Sequence, residues 1–117
     1  MLTHLAAAVL PVRDLALATA WYSHVLERAP SVNEPYYVAF DVGGQDFALI
    51  PLEPGAEPGP QGSRPYWAVD DLEAVLARWQ GSGAVLHETI ASAGEVRFAS
   101  VCDPDGNAIG FVQIATA

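Results

Sequence analysis

The groups of this 117-residue chain that could do acid–base or metal chemistry are few and scattered. His4, His24 and His87 belong to three separate elements, and the single thiol is Cys102. A transition-metal site needs three or four donors converging on one point, which three histidines on separate elements rarely achieve by chance. No Ser-His-Asp or Cys-His arrangement stands at usable positions, and Cys102, beside a turn, reads as a packed thiol rather than a nucleophile. What remains is better suited to holding a molecule than to breaking one. Tyr37 and Tyr66 can stack on flat rings while their hydroxyls fix orientation, or can simply pack. Arg64 can grip a carboxylate or phenolate, or can pair internally with Asp41 or Asp46, the slightly favoured alternative. Asp41, Asp46 and Tyr37 are also the only groups placed to act as acid or base in a catalytic reading.

The elements that position these groups come in two copies. Val12-Arg13-Asp14-Leu15 recurs as Val69-Asp70-Asp71-Leu72 at an offset of 57, and each opens a helix. The copies end alike, with Gly43-Gly44-Gln45-Asp46-Phe47-Ala48-Leu49 and Asp105-Gly106-Asn107-Ala108-Ile109-Gly110-Phe111 each turning into a strand with large apolar residues at alternate positions. A repeat of this length is a duplicated half-domain rather than a solenoid unit. In the first copy, residues 4–12 predict a buried strand and Asp14 caps a helix with a stripe of Leu15, Ala18, Tyr22 and Val25 that ends before Pro30. Strands 36–42 and 45–50 flank Gly43-Gly44, a two-residue hairpin, with room for a short strand near Val32. Residues 51–63 hold four prolines and three glycines and predict a linker that forms neither helix nor ladder. The second copy begins with a strand at 64–69. Asp71 caps the next helix by analogy with the repeat, although Asp70 with Glu73 offers a capping box, and the stripe is Leu72, Val75 and Trp79. After Gly81 and Gly83, strands at 84–90, 96–102 and 107–114 follow. The fold expected is α+β: a single domain of two βαβββ modules (1–50 and 64–117) forming a curved mixed sheet with helices on the convex side.

Strand alternation then assigns faces. Phe47, Leu49, Ile109 and Phe111 pack under the helices, while Ala48 and Gly110 look the other way, into a concave groove. Pairing 42 with 45 sets Tyr37, Ala39 and Asp41 beside Ile50, Ala48 and Asp46 on that groove face. Trp67 falls on the helix side. Trp21 lies off its helix stripe, in position to contact a second subunit.

Composition bounds the function. A chain of this length buries roughly two-thirds of its unfolded surface and needs neither disulfide nor metal to fold. Fourteen carboxylates against five arginines give a formal net charge of −9, which repels phosphate backbones, argues against nucleic acid and suits a cationic small molecule, or simply solvates the surface. No stretch approaches the roughly 18 apolar residues of a membrane span, no basic-then-apolar leader is visible, and one cysteine fits a reducing compartment. The expectation is a soluble cytoplasmic protein.

Val12-Arg13-Asp14-Leu15, Ala20-Trp21-Tyr22-Ser23-His24-Val25-Leu26, Val69-Asp70-Asp71-Leu72 and Asp103-Pro104-Asp105-Gly106-Asn107-Ala108-Ile109, in this order and spacing, resemble the vicinal oxygen chelate superfamily of glyoxalase I, extradiol dioxygenases and bleomycin-resistance proteins. The resemblance covers roughly residues 2–114. In metal-dependent members it implies a His on each opening strand, seven residues before the cap Asp, and a Glu on each closing strand, four residues after the turn glycine. Those positions hold Ala7, Arg64, Ala48 and Gly110, none able to ligate a divalent cation. His4 is turned to the opposite strand face from Ala7, and the adjacent His87 and Glu88 point to opposite faces of their strand. The resemblance thus implies a binder without metal or cofactor, of the bleomycin-resistance kind: a homodimer, side by side or exchanged through the linker, sequestering a bulky drug-like ligand over a floor of Ala7, Ala39, Ala48, Ala68 and Gly110. Its ligand contacts are Tyr37, Ala39, Asp41, Asp46, Ala48, Ile50, Arg64, Tyr66 and Gly110. The alternative is an enzyme of the same fold, a lyase, isomerase or dioxygenase, whose metal-dependent chemistry lacks its Lewis acid. The register of Arg97 is not fixed by the pattern.

Overall fold

A computed structural model describes residues 5–52, 55 and 64–114. His4 and most of the 51–63 segment lie outside the described residues. The chain forms two compact units, Met1–Pro58 and Gly59–Ala117.

In the first unit, β1 (Ala7–Val12) is followed by α1 (Leu15–Leu26), β2 (Val32–Glu34), β3 (Tyr37–Val42) and β4 (Gln45–Pro51). The sheet order is β1-β4-β3-β2, with β1 parallel to β4 and the other pairs antiparallel. Asp14 starts α1 by accepting a hydrogen bond from the Leu17 N–H at 3.1 Å, which satisfies one of the donors a helix start leaves open. Ala18, Tyr22 and Val25 are buried as their spacing predicts, and Leu15 is half-buried. The Tyr22 ring meets Phe47 of β4 with centroids 5.1 Å apart, which fixes the helix-facing side of the sheet. Gly43 and Gly44 take φ of 60° and 85°, and Val42 pairs with Gln45, so the two-residue turn forms as read. β4 runs one residue into the expected linker. Pro51 can close a ladder because its missing N–H falls at the strand end, and Leu52 donates to the Val12 carbonyl at 3.0 Å.

The second unit repeats the plan with β5 (Tyr66–Ala68), α2 (Leu72–Gly81), β6 (Val85–Ala93), β7 (Val96–Cys102) and β8 (Ala108–Ile114) in the order β5-β8-β7-β6. The mixed sheet of the α+β fold is therefore delivered as two four-stranded sheets, one per βαβββ module. Asp71 is the cap, accepting from Ala74 N at 3.1 Å, and Gln113 of β8 accepts from Leu72 N at 2.7 Å. The buried stripe of α2 is Leu72, Leu76 and Trp79; Val75, expected in it, is only half-buried. Trp79, at the position 57 residues after Tyr22, likewise meets a phenylalanine of the last strand, Phe111, at 4.9 Å. Between β7 and β8 the buried Asp103 carboxylate accepts from Asp105 N at 3.0 Å and Asn107 N at 2.8 Å, so the Asp-Pro-Asp-Gly-Asn run is a self-bonded turn. Among the described residues no helix is long and apolar enough to cross a membrane.

Candidate functional site

In the first module the face away from α1 carries Ala7, Val9 and Pro11 of β1 against Asp46, Ala48 and Ile50 of β4, which in turn face Asp41 and Ala39 of β3. The Tyr37 hydroxyl donates to Asp46 Oδ2 at 2.9 Å. Asp46 pairs with Asp41, four residues along β3 from Tyr37, so the tyrosine side chain runs along this face across the Ala39–Ala48 row. Ala39 and Ala48 are both 0% exposed. The small residues expected to leave an open floor at 39 and 48 thus lie buried beneath that crossing. The Asp46 hydrogen bond, burial and the Asp46 charge together hold the Tyr37 phenol above its ordinary pKa, which keeps it neutral. Asp41 serves the hairpin instead of the face: its carboxylate accepts from Gly44 N at 2.9 Å, and its carbonyl accepts from Arg28 at 2.5 Å.

In the second module one row crosses all four strands on the face away from α2: Tyr66, Gly110, Ser100 and Glu88. Glu88 Oε1 is its focus. It accepts from Arg64 Nη1 at 2.5 Å, from the Ser100 hydroxyl at 2.9 Å and from the Tyr66 hydroxyl at 3.2 Å. Arg64 thus pairs with Glu88 of its own module. A Cβ built on Gly110 would stand 2.4 Å from Tyr66 Cδ2 and 2.7 Å from Cγ, so the ring lies flat on the glycine. The Ser100 hydrogen bond, the Arg64 charge and the Tyr66 hydroxyl hold the Glu88 carboxyl below its ordinary pKa against partial desolvation.

Alternation sets His87 and Glu88 on opposite faces of their strand but does not say which face takes Glu88. Leu86 faces Val101, but the next paired residue, Glu88, faces Ser100, so His87 is an inserted residue. That bulge turns Glu88 onto the face of Tyr66, and the ladder shifts again before Ala91. Arg97, whose register was open, sits opposite Gln113 and pairs with Glu73 of α2, on the helix side. Cys102 is half-buried, and desolvation, then the Asp103 charge, push its thiol pKa up, as suits a packed thiol. His24 and His87 are exposed, and among the described residues no three His, Cys, Asp or Glu side chains come together.

The family model for the Glyoxalase/Bleomycin resistance protein/Dioxygenase superfamily matches residues 2–111. The chain belongs to this superfamily. Among solved structures it is similar to TnmS3, an antibiotic binding protein from Streptomyces sp. CB03234, with 26% identity, 97% of this chain and 98% of that one covered, and a TM-score of 0.74. A glyoxalase/bleomycin resistance protein from Catenulispora acidiphila is 24% identical with a TM-score of 0.72, covering 97% and 100% of the two chains. A glyoxalase/bleomycin resistance protein/dioxygenase family enzyme from Burkholderia phytofirmans shares the fold at 15% identity and a TM-score of 0.76, with 97% and 100% covered. Among curated proteins none matches the chain.

For a glyoxalase-superfamily metal the residues present do not fit. Ala7 and Ala48 carry no donor, Arg64 is a cation engaged by Glu88, and at Gly110 the space that a ligating side chain would enter holds the Tyr66 ring.

Proposed function

We propose that this chain is a metal-free small-molecule-binding protein that sequesters a bulky, aromatic or cationic ligand of drug-like size. The observation that carries this reading is the seat of Tyr66 on Gly110, which puts an aromatic surface at a position where the superfamily's enzymes place a ligating carboxylate. Such a surface binds by area and stacking and needs no nucleophile. The likeness to an antibiotic-binding protein of the same superfamily supports it, as does the formal net charge of −9, which favours cations. The same reading takes the protein to be a cytoplasmic homodimer. The homodimer draws its support from β6, an edge strand of its sheet whose nine residues are all exposed, with Val85 at 66% and Ile90 at 40%.

Titrating the fluorescence of the three tryptophans with a panel of cationic glycopeptide and flat aromatic antibiotics tests the reading. Saturable quenching by at least one member, in protein holding no stoichiometric metal, is expected. Stoichiometric zinc, nickel, iron or manganese in the purified protein, or silence across the panel, overturns it.

A further inference from the structure

Glu88 is held in an unusual way. All three of its donors, Arg64, Ser100 and Tyr66, converge on Oε1, whereas Oε2 has no hydrogen-bond partner among the described residues. The Ser100 side chain beneath is fully buried, while that of Glu88 is 45% exposed. The carboxylate is therefore fixed in orientation from below with one oxygen presented outward, and a ligand meets a group whose rotamer entropy is already spent. Beside it, Tyr66 has one ring face on Gly110 and is 45% exposed, so a flat partner can reach it. Because the Tyr66 hydroxyl touches Glu88, the carboxylate stands at the edge of that stacking surface.

We propose that Glu88 is the recognition group of this face, its Oε2 receiving the protonated nitrogen of a flat aromatic cation stacked on Tyr66. Arg64 and Ser100 are positioning residues that hold Oε1. An anion on Arg64 is the competing occupant, but the Arg64 side chain is 23% exposed against 45% for that of Glu88, and the chain carries a formal charge of −9. Both facts favour the cation. The lowered Glu88 pKa keeps the carboxylate charged at neutral pH.

The assignment rests on the binding reading above and names its ligand class. Its test compares proflavine, a tricyclic cation, with the uncharged tricycle acridone by fluorescence titration of the full chain. The wild type should prefer proflavine by about tenfold, the size of one charge-assisted hydrogen bond. Glu88→Gln should erase that preference, Ser100→Ala should reduce it, and Tyr66→Ala should weaken both probes. Equal wild-type affinities, or a preference that survives Glu88→Gln, overturn the assignment and leave the binding reading standing. Failure of both probes on the wild type also overturns the assignment, and the antibiotic panel then decides the broader reading separately.

Discussion

Gly110 and Tyr66 form the tightest residue-level dependence in the second module. A methyl at 110 would have to displace the ring, because its nearest neighbours include Cγ at 2.7 Å, close to the backbone and unable to swing aside alone. Gly110→Ala should cost about 1–3 kcal/mol in urea unfolding, as overpacking does, and Tyr66→Ala in the same chain should recover most of it. Equal penalties with and without the tyrosine would contradict the contact. Tyr37 supplies a pH test with a definite sign. Its folded pKa is raised, so the Asp46 hydrogen bond contributes stability that is fully present below the ordinary phenol value of about 10 and is lost as pH rises through the folded value. Ultraviolet titration should show a late-ionising Tyr37 phenol that moves down toward the ordinary range in Asp46→Asn. Glu88 has the opposite sign: its lowered pKa gives stability present above the unfolded carboxyl value and lost as pH falls, so Glu88→Gln should flatten the acid limb of the stability curve. At this scale the sequence was half legible. Residue type and strand phase are enough to put Tyr66, Arg64 and Gly110 on one face, but the bulge at His87 carries no Gly or Pro to announce it, so alternation alone does not bring Glu88 to Arg64 and Tyr66.

The two helix starts and the two closing hairpins were readable because their chemistry is local. An Asp before the first apolar stripe, or Gly-Gly between two alternating runs, needs no distant contact to be satisfied. Asp14→Ala and Asp71→Ala should each cost about 1 kcal/mol in thermal or urea unfolding, and Asn at either position should restore most of it. The Asp103 turn is more demanding, since its carboxylate is buried and accepts two backbone N–H groups. Asp103→Ala would strand those donors and should destabilise by about 1–3 kcal/mol more than the exposed caps do. The details that escaped depend on tertiary surroundings. Leu76 rather than Val75 faces the sheet because of how α2 sits on it, and β6 continues to Ala93, beyond the expected residue 90, because two bulges keep it paired with β7.

At the scale of the molecule, the duplication explains why the modules share an architecture and differ in chemistry. The row Val9, Ala48, Ala39 and Val32 of the first sheet corresponds in strand order to Tyr66, Gly110, Ser100 and Glu88 of the second. One copy of the plan keeps that row apolar, and the other makes it a polar network around a carboxylate. If the homodimer forms, light scattering after size exclusion should give twice the 12.4 kDa chain mass, and a Val85→Glu/Ile90→Lys variant should run as the monomer; a wild-type monomer at all concentrations would remove that part of the reading. Ligand binding by this chain is proposed to need no metal. This is tested most directly by measuring, by titration calorimetry, the affinity for the best panel ligand before and after exhaustive chelation. Unchanged affinity in the chelated protein is the predicted result. Affinity lost on chelation and restored by a single equivalent of a divalent cation would contradict it.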